Sequence, residues 1–173
     1  MPNPAAILYV DDENLSHLIF KAVFEDDYEV HTAISAREGL EILRRQPIDL
    51  LITDQCMPEM TGVELLQEIR DELPDIGRVI LSAYSETDAI IEAINVGRVD
   101  HYVTKPWQAE DLKAVIDQVL EDVQHRARRR RRIDELQTEL ARERHWRETL
   151  QRHVTDEVAA EILASEAPEG SGS

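Results

Sequence analysis

The sequence predicts an α/β fold, a parallel sheet of five strands covered by helices on both faces. Three observations lead there. Short apolar runs of strand length alternate five times with segments of helical period. Runs such as Leu50-Leu51-Ile52 are continuously apolar, as expected of strands buried on both faces. Polar groups cluster where the runs end: Asp11-Asp12 after Ile7–Val10, Asp54 after Leu50–Thr53, and Lys105 after His101–Thr104. In a parallel sheet these ends share one edge, so the groups should converge there. Two carboxylates can hold a hard divalent cation while a third accepts a phosphoryl group.

The elements follow in order. Ile7–Val10 is the first strand, and Asn14 is the predicted cap of a helix through Glu25. That helix carries Leu15, Leu18, Ile19, Ala22 and Val23 at helical spacing. Tyr28–Ala33 is the second strand, and Ser35 is a suitable N-cap for a helix through Arg45. Leu50–Thr53 is too short and too apolar for a surface helix and forms the third strand. The next helix is predicted from about Gly62 to Leu73, stopping before Pro74. Arg78–Ser82, Glu86–Val96 and His101–Thr104 supply a strand, a helix and a strand, and a fifth helix begins near Gln108. Right-handed crossovers leave few topologies for such a chain.

The 173 residues suffice for one domain and an appendage, read as a domain over 1–123, a helical linker over 124–165 and a disordered tail over 166–173. The net charge of -17 belongs to the domain: residues 1–122 hold 9 Lys/Arg against 26 Asp/Glu, and the remainder is neutral. Such acidity repels nucleic-acid phosphates and suits a metal or a cationic partner. The lone Cys56 rules out an internal disulfide and fits a reducing compartment. No apolar run approaches the roughly 18 residues that span a bilayer. The start Met1-Pro2-Asn3-Pro4 lacks the features of a secretion signal. The chain reads as cytoplasmic, without membrane contact.

Past Val123 the pattern changes. Arg126 and Arg128–Arg132 form a basic run, followed by strong helix formers. Ile133, Leu136, Leu140, Leu150 and Val154 occupy the a and d positions of one heptad register, with Glu143, Arg147 and Glu157 in the same seam. A coiled-coil homodimer with polar interruptions is expected. No recognition motif accompanies the basic run, so no nucleic-acid contact is expected.

Four motifs, Leu8-Tyr9-Val10-Asp11-Asp12-Glu13, Thr53-Asp54-Gln55-Cys56-Met57-Pro58, Val79-Ile80-Leu81-Ser82-Ala83 and Tyr102-Val103-Thr104-Lys105-Pro106, occur in order at successive strand ends. In order and spacing they resemble the receiver domain of two-component response regulators over roughly residues 5–123. The resemblance implies a flavodoxin-like (βα)5 sheet of order 2-1-3-4-5. It also implies roles for single positions. Asp54 would be the phosphoacceptor for a sensor histidine kinase. Asp12 and Asp54 would bind Mg²⁺ directly, Asp11 through a water, and the Cys56 backbone carbonyl would complete the protein ligands. Lys105 and Ser82 would contact the phosphoryl oxygens, with small Ala83 and Gly62 allowing close approach. Ser82 and Tyr102 would form the switch, and the Lys105-Pro106 bond would be cis.

On this reading the chain turns nothing over beyond its own phosphotransfer and autodephosphorylation. Leu150–Leu163 resembles the lead-in to class III nucleotide cyclase domains, with Thr155 a candidate cap of a new helix. The output would then be a domain that the remaining residues cannot contain, whether cyclase, kinase or cyclic-dinucleotide phosphodiesterase. The alternative is an aspartyl phosphatase of the haloacid dehalogenase type. That chemistry needs a second Asp two residues past the nucleophile, where Cys56 stands.

Overall fold

Five strand-length runs form one parallel sheet, whose three central strands are buried along almost their whole length and whose two edge strands are only partly buried. The computed structural model describes residues 4–83 and 99–165. The strands are β1 (Ala6–Val10), β2 (Glu29–Ala33), β3 (Leu50–Asp54), β4 (Gly77–Ala83) and β5 (His101–Lys105), in the order β2-β1-β3-β4-β5. The flavodoxin-like arrangement expected from the sequence is the one found. The helices are α1 (Asn14–Phe24), α2 (Ala36–Arg45), α3 (Gly62–Ile69) and α4 (Ala109–Ser165). The helix predicted over Glu86–Val96 lies outside the described residues.

Alternation along β1 divides the core into two layers. Ile7 and Tyr9 face Phe20, Phe24, Leu112 and Ile116 of α1 and α4. Leu8 and Val10 face Leu43, Leu65 and Leu66 of α2 and α3. Gly77 is what lets α4 come close, because a Cβ there would lie 2.8 Å from Val119 and 2.9 Å from Leu50.

Local chemistry sets the ends of the helices. Ser35 accepts a hydrogen bond from the Glu38 backbone, as its position predicts. Thr61 and Glu64 form a capping box on α3. Three expectations need correction. The N-cap of α1 is Glu13, which makes no side-chain cap, and Asn14 is already helical. α3 stops at Ile69, and the chain turns through the Leu73 N–H to Ile69 carbonyl bond (2.8 Å) before Pro74. Thr155 starts no new helix: its hydroxyl donates to the Gln151 carbonyl at 2.7 Å, within an uninterrupted α4.

One apolar stripe is turned away from the core. Leu15, Leu18, Ile19 and Val23 of α1 are exposed, while His17, Phe20 and Phe24 are buried. The aromatic stack of Tyr9 on Phe20 (4.3 Å between centroids) decides the matter, since the larger rings cover more of the sheet.

The chain divides into two compact units, Met1–Ala127 and Arg128–Ser173. In the second, Ile133, Leu136, Leu140, Leu150 and Val154 all face solvent. Glu143 and Arg147, one turn apart, pair at 2.7 Å. No helix among the described residues is long and apolar enough to cross a membrane.

Candidate functional site

The register of the sheet lines up the polar strand ends. Val10 lies beside Thr53, Asp54 beside Leu81, Ser82 beside Thr104, and Ala83 beside Lys105. Asp11 follows β1 directly, and Asp54 closes β3. Both carboxylates are buried, and both form an ion pair with the Lys105 ammonium (Asp11 Oδ2 at 2.9 Å). The Lys105-Pro106 bond is cis, as expected.

Each carboxylate has further donors. Asp11 accepts from the Glu13 N–H through Oδ1 (2.9 Å) and from the Tyr9 hydroxyl through Oδ2 (2.6 Å). Asp54 Oδ2 accepts from the Cys56 N–H at 2.7 Å. The two then diverge. Burial pushes Asp11 up, but hydrogen bonds from Lys105, Tyr9 and Glu13 outweigh it and hold the carboxyl below its ordinary value. Burial together with the charge of Asp11 outweighs Lys105 at Asp54, which is raised. Burial lowers Lys105, but its two carboxylate partners prevail and it is raised.

The loop after β3 is held from both sides. The Gln55 N–H donates to the Leu81 carbonyl (2.9 Å), and Gln55 Oε1 accepts from the Val63 N–H (3.1 Å). Gly62 packs on the Asp54 backbone, where a Cβ would lie 2.5 Å from the carbonyl oxygen. Position 62 therefore requires glycine.

The remaining residues singled out from the sequence lie around this centre. Ser82 is buried at the end of β4, and its hydroxyl donates to the Ala83 carbonyl at 3.3 Å. Tyr102 is half-buried against the α2–α3 layer, and its buried hydroxyl has no partner among the described residues. Asp12, Cys56 and Ala83 are exposed. Among the described residues no three His, Cys, Asp or Glu side chains close on one point. The donor chemistry nevertheless fits Mg²⁺, which takes one or two carboxylates and keeps several waters. Two carboxylates already share one cation here, the Lys105 ammonium.

Two features escaped the sequence reading. The contact of Tyr9 with Asp11 is one; the signal for it is spacing, since residues two apart on a strand share a face. The other is a cavity of about 450 Å³ lined by Tyr9, Glu13, Ser16, Ile19, Lys105, Pro106 and Trp107, which joins the site to the exposed stripe of α1.

Comparison with known proteins agrees with this geometry. Residues 7–117 match the response regulator receiver domain model. The chain is 36% identical over 117 residues to the hydrogenase transcriptional regulatory protein HoxA of Cupriavidus necator, covering 68% of this chain and 24% of that protein. It thus spans about a quarter of the length of the curated relatives it matches. A response regulator receiver domain protein from Clostridium thermocellum superposes with a TM-score of 0.65 at 36% identity, covering 68% of this chain and 95% of that one. An adenylate cyclase structure from Rhodopirellula baltica gives a TM-score of 0.72 at 27% identity, covering 76% and 98%. Family match, sheet order and converging strand ends agree: the chain belongs to the receiver domains of two-component response regulators, whose general function is to accept a phosphoryl group.

Proposed function

We propose that Asp54 is the phosphoacceptor of this receiver. The observation that carries the reading is the shared ion pair: one half-buried ammonium, Lys105, bridges the buried carboxylates of Asp54 and Asp11 at the sheet edge. An Asp54 oxygen attacks phosphorus, the P–N bond to a histidine of the partner kinase breaks, and the imidazole leaves with the bonding pair. The product is an acyl phosphate. The raised pKa of Asp54 reflects a buried charge the fold tolerates poorly, and moving that charge outward onto phosphoryl oxygens relieves it. Lys105 turns from the carboxylate to those oxygens, and the Ser82 hydroxyl donates to another.

Asp54 and Asp12 would hold Mg²⁺ directly, Asp11 through a water, with the Cys56 carbonyl as a further ligand. When bound, the ion neutralises charge developing on the phosphoryl group. Everything else falls to the protein: Asp11 orients Lys105, and the Gln55 hydrogen bonds fix the loop that carries the acceptor.

The exposed stripe Leu15, Leu18, Ile19 and Val23 is the docking face for a helix of the sensor histidine kinase. It adjoins the cavity at Lys105 and Trp107, so a partner seated there delivers its histidine to the site. The signal leaves through Ser82 and Tyr102. Ser82 moves to the phosphoryl group, and Tyr102, whose buried hydroxyl lacks a partner among the described residues, turns into the vacated space. α4 carries the exposed heptad stripe that pairs two copies of the chain. The output is a nucleotide cyclase, a reading supported by the Leu150–Leu163 resemblance and by the likeness to a structure described as an adenylate cyclase.

Mass spectrometry after incubation with acetyl phosphate and Mg²⁺ tests the assignment. One phosphate on Asp54, absent from Asp54→Asn, is the expected result; a label elsewhere refutes it.

A further inference from the structure

Asp11 is almost fully buried, and each of its oxygens is spoken for. Oδ1 takes the Glu13 N–H at 2.9 Å, while Oδ2 takes both the Lys105 ammonium at 2.9 Å and the Tyr9 hydroxyl at 2.6 Å. Tyr9 is equally buried and cannot swing aside. Its backbone is paired in β1 on both sides, to Thr32 and to Ile52. Its ring stacks on Phe20, inclined by 13°, and meets His17 edge-on at 5.7 Å. The hydroxyl is therefore a fixed donor aimed at the oxygen that also holds Lys105.

A donor of this kind has a definite effect on a carboxylate. It satisfies part of the oxygen's negative charge, so whatever else approaches that oxygen is held less tightly. We infer that Tyr9 is a positioning residue that tempers the hold of Asp11 on cations, leaving Lys105 free to move and metal binding moderate. The inference rests on the proposed reading of the site, in which Lys105 must leave the carboxylates for the phosphoryl group. When it leaves, the Tyr9 hydroxyl keeps Asp11 Oδ2 from being stranded without a partner in a buried position. Without that hydroxyl, Asp11 Oδ2 keeps more of its charge unsatisfied, so the carboxylate holds both Lys105 and a bound metal ion more tightly.

Tyr9→Phe isolates the effect, because the ring, its stack on Phe20 and its volume all survive. Mg²⁺ is titrated against the emission of Trp107, which lines the cavity beside Tyr9 and Lys105, in chains carrying Trp146→Phe. Mn²⁺ binding, followed by the resonance of the free ion, gives the constant without relying on the fluorophore. The expected result is half-saturation at about five- to tenfold lower metal concentration in Tyr9→Phe. At saturating Mg²⁺, labelling by acetyl phosphate should be slower by a similar factor, because Lys105 is retained. Half-saturation that is unchanged, or shifted to higher metal, overturns the inference and leaves Tyr9 a packing residue. The parent chain separates this from the underlying reading. If it binds metal yet takes no phosphate on Asp54, the phosphoacceptor assignment fails while the metal titration still decides the role of Tyr9.

Discussion

At the scale of single residues, the site is built from groups pushed in opposite directions. Asp11 is held below its ordinary value, so its ionised form stabilises the fold at neutral pH, and that contribution is lost as pH falls through the depressed folded value. Asp54 is raised, so its contribution is present at low pH and lost as pH rises through the raised value. The two substitutions should therefore differ in sign at pH 7. Asp54→Asn should stabilise the fold by about 1 kcal/mol, as changes at strained functional sites commonly do. Asp11→Asn should destabilise it by about 1–3 kcal/mol, since Lys105 and Tyr9 lose their charged partner. Urea unfolding of both variants from pH 4 to 8 measures this, and the advantage of Asp54→Asn should vanish at the acid end. The positions of Asp11, Asp54 and Lys105 were legible in the sequence because each follows an apolar run. The Tyr9–Asp11 contact was not, because a tyrosine in a strand reads first as a core aromatic.

At the scale of elements, the strands were legible to within a residue or two, most clearly the central β1 and β3, which are covered on both faces and buried throughout. The cap at Ser35 was legible because its side chain reaches its own backbone, whereas the capping box at Thr61 was not anticipated. The facing of α1 was not legible. Its leucine-rich stripe has helical spacing, but the aromatic set His17, Phe20 and Phe24 takes the sheet side. That outcome gives a prediction with two arms. Leu18→Glu should leave thermal stability and acetyl phosphate labelling within error of the parent, because the side chain is already in solvent. Transfer from the phosphorylated partner kinase should fall by about tenfold or more, as for a central residue of an interface. Loss of both reactions would mean that α1 supports the site itself and is no docking face. Gly77→Ala tests the packing of α4: with 2.8 Å to Val119 it should cost about 1–3 kcal/mol in thermal unfolding.

At the scale of the whole molecule, the acidic domain and the charge-balanced helix differ in composition as well as in structure. The basic run Arg128–Arg132 begins where the second compact unit does. Ile133, Leu136, Leu140, Leu150 and Val154 of that unit are exposed, and on the proposed reading a second copy of the chain buries this stripe. Leu136→Glu with Leu140→Glu should convert a dimer to a monomer in light scattering without changing acetyl phosphate labelling of the domain. A dimer that survives both changes would have to use another face. The long helix was legible because strong helix formers run without a proline between Pro106 and Pro168.

The proposed function requires above all that Asp54 take phosphate while Lys105 and Asp11 hold the charge around it. Radiolabelled acetyl phosphate with Mg²⁺, applied in parallel to the parent chain, Asp54→Asn and Lys105→Met, is the most direct measurement. Acid-stable, hydroxylamine-sensitive label on the parent and none on Asp54→Asn, with Lys105→Met labelled about a hundredfold more slowly for want of its transition-state charge, is the predicted result. Equal labelling of the parent and Asp54→Asn would contradict it.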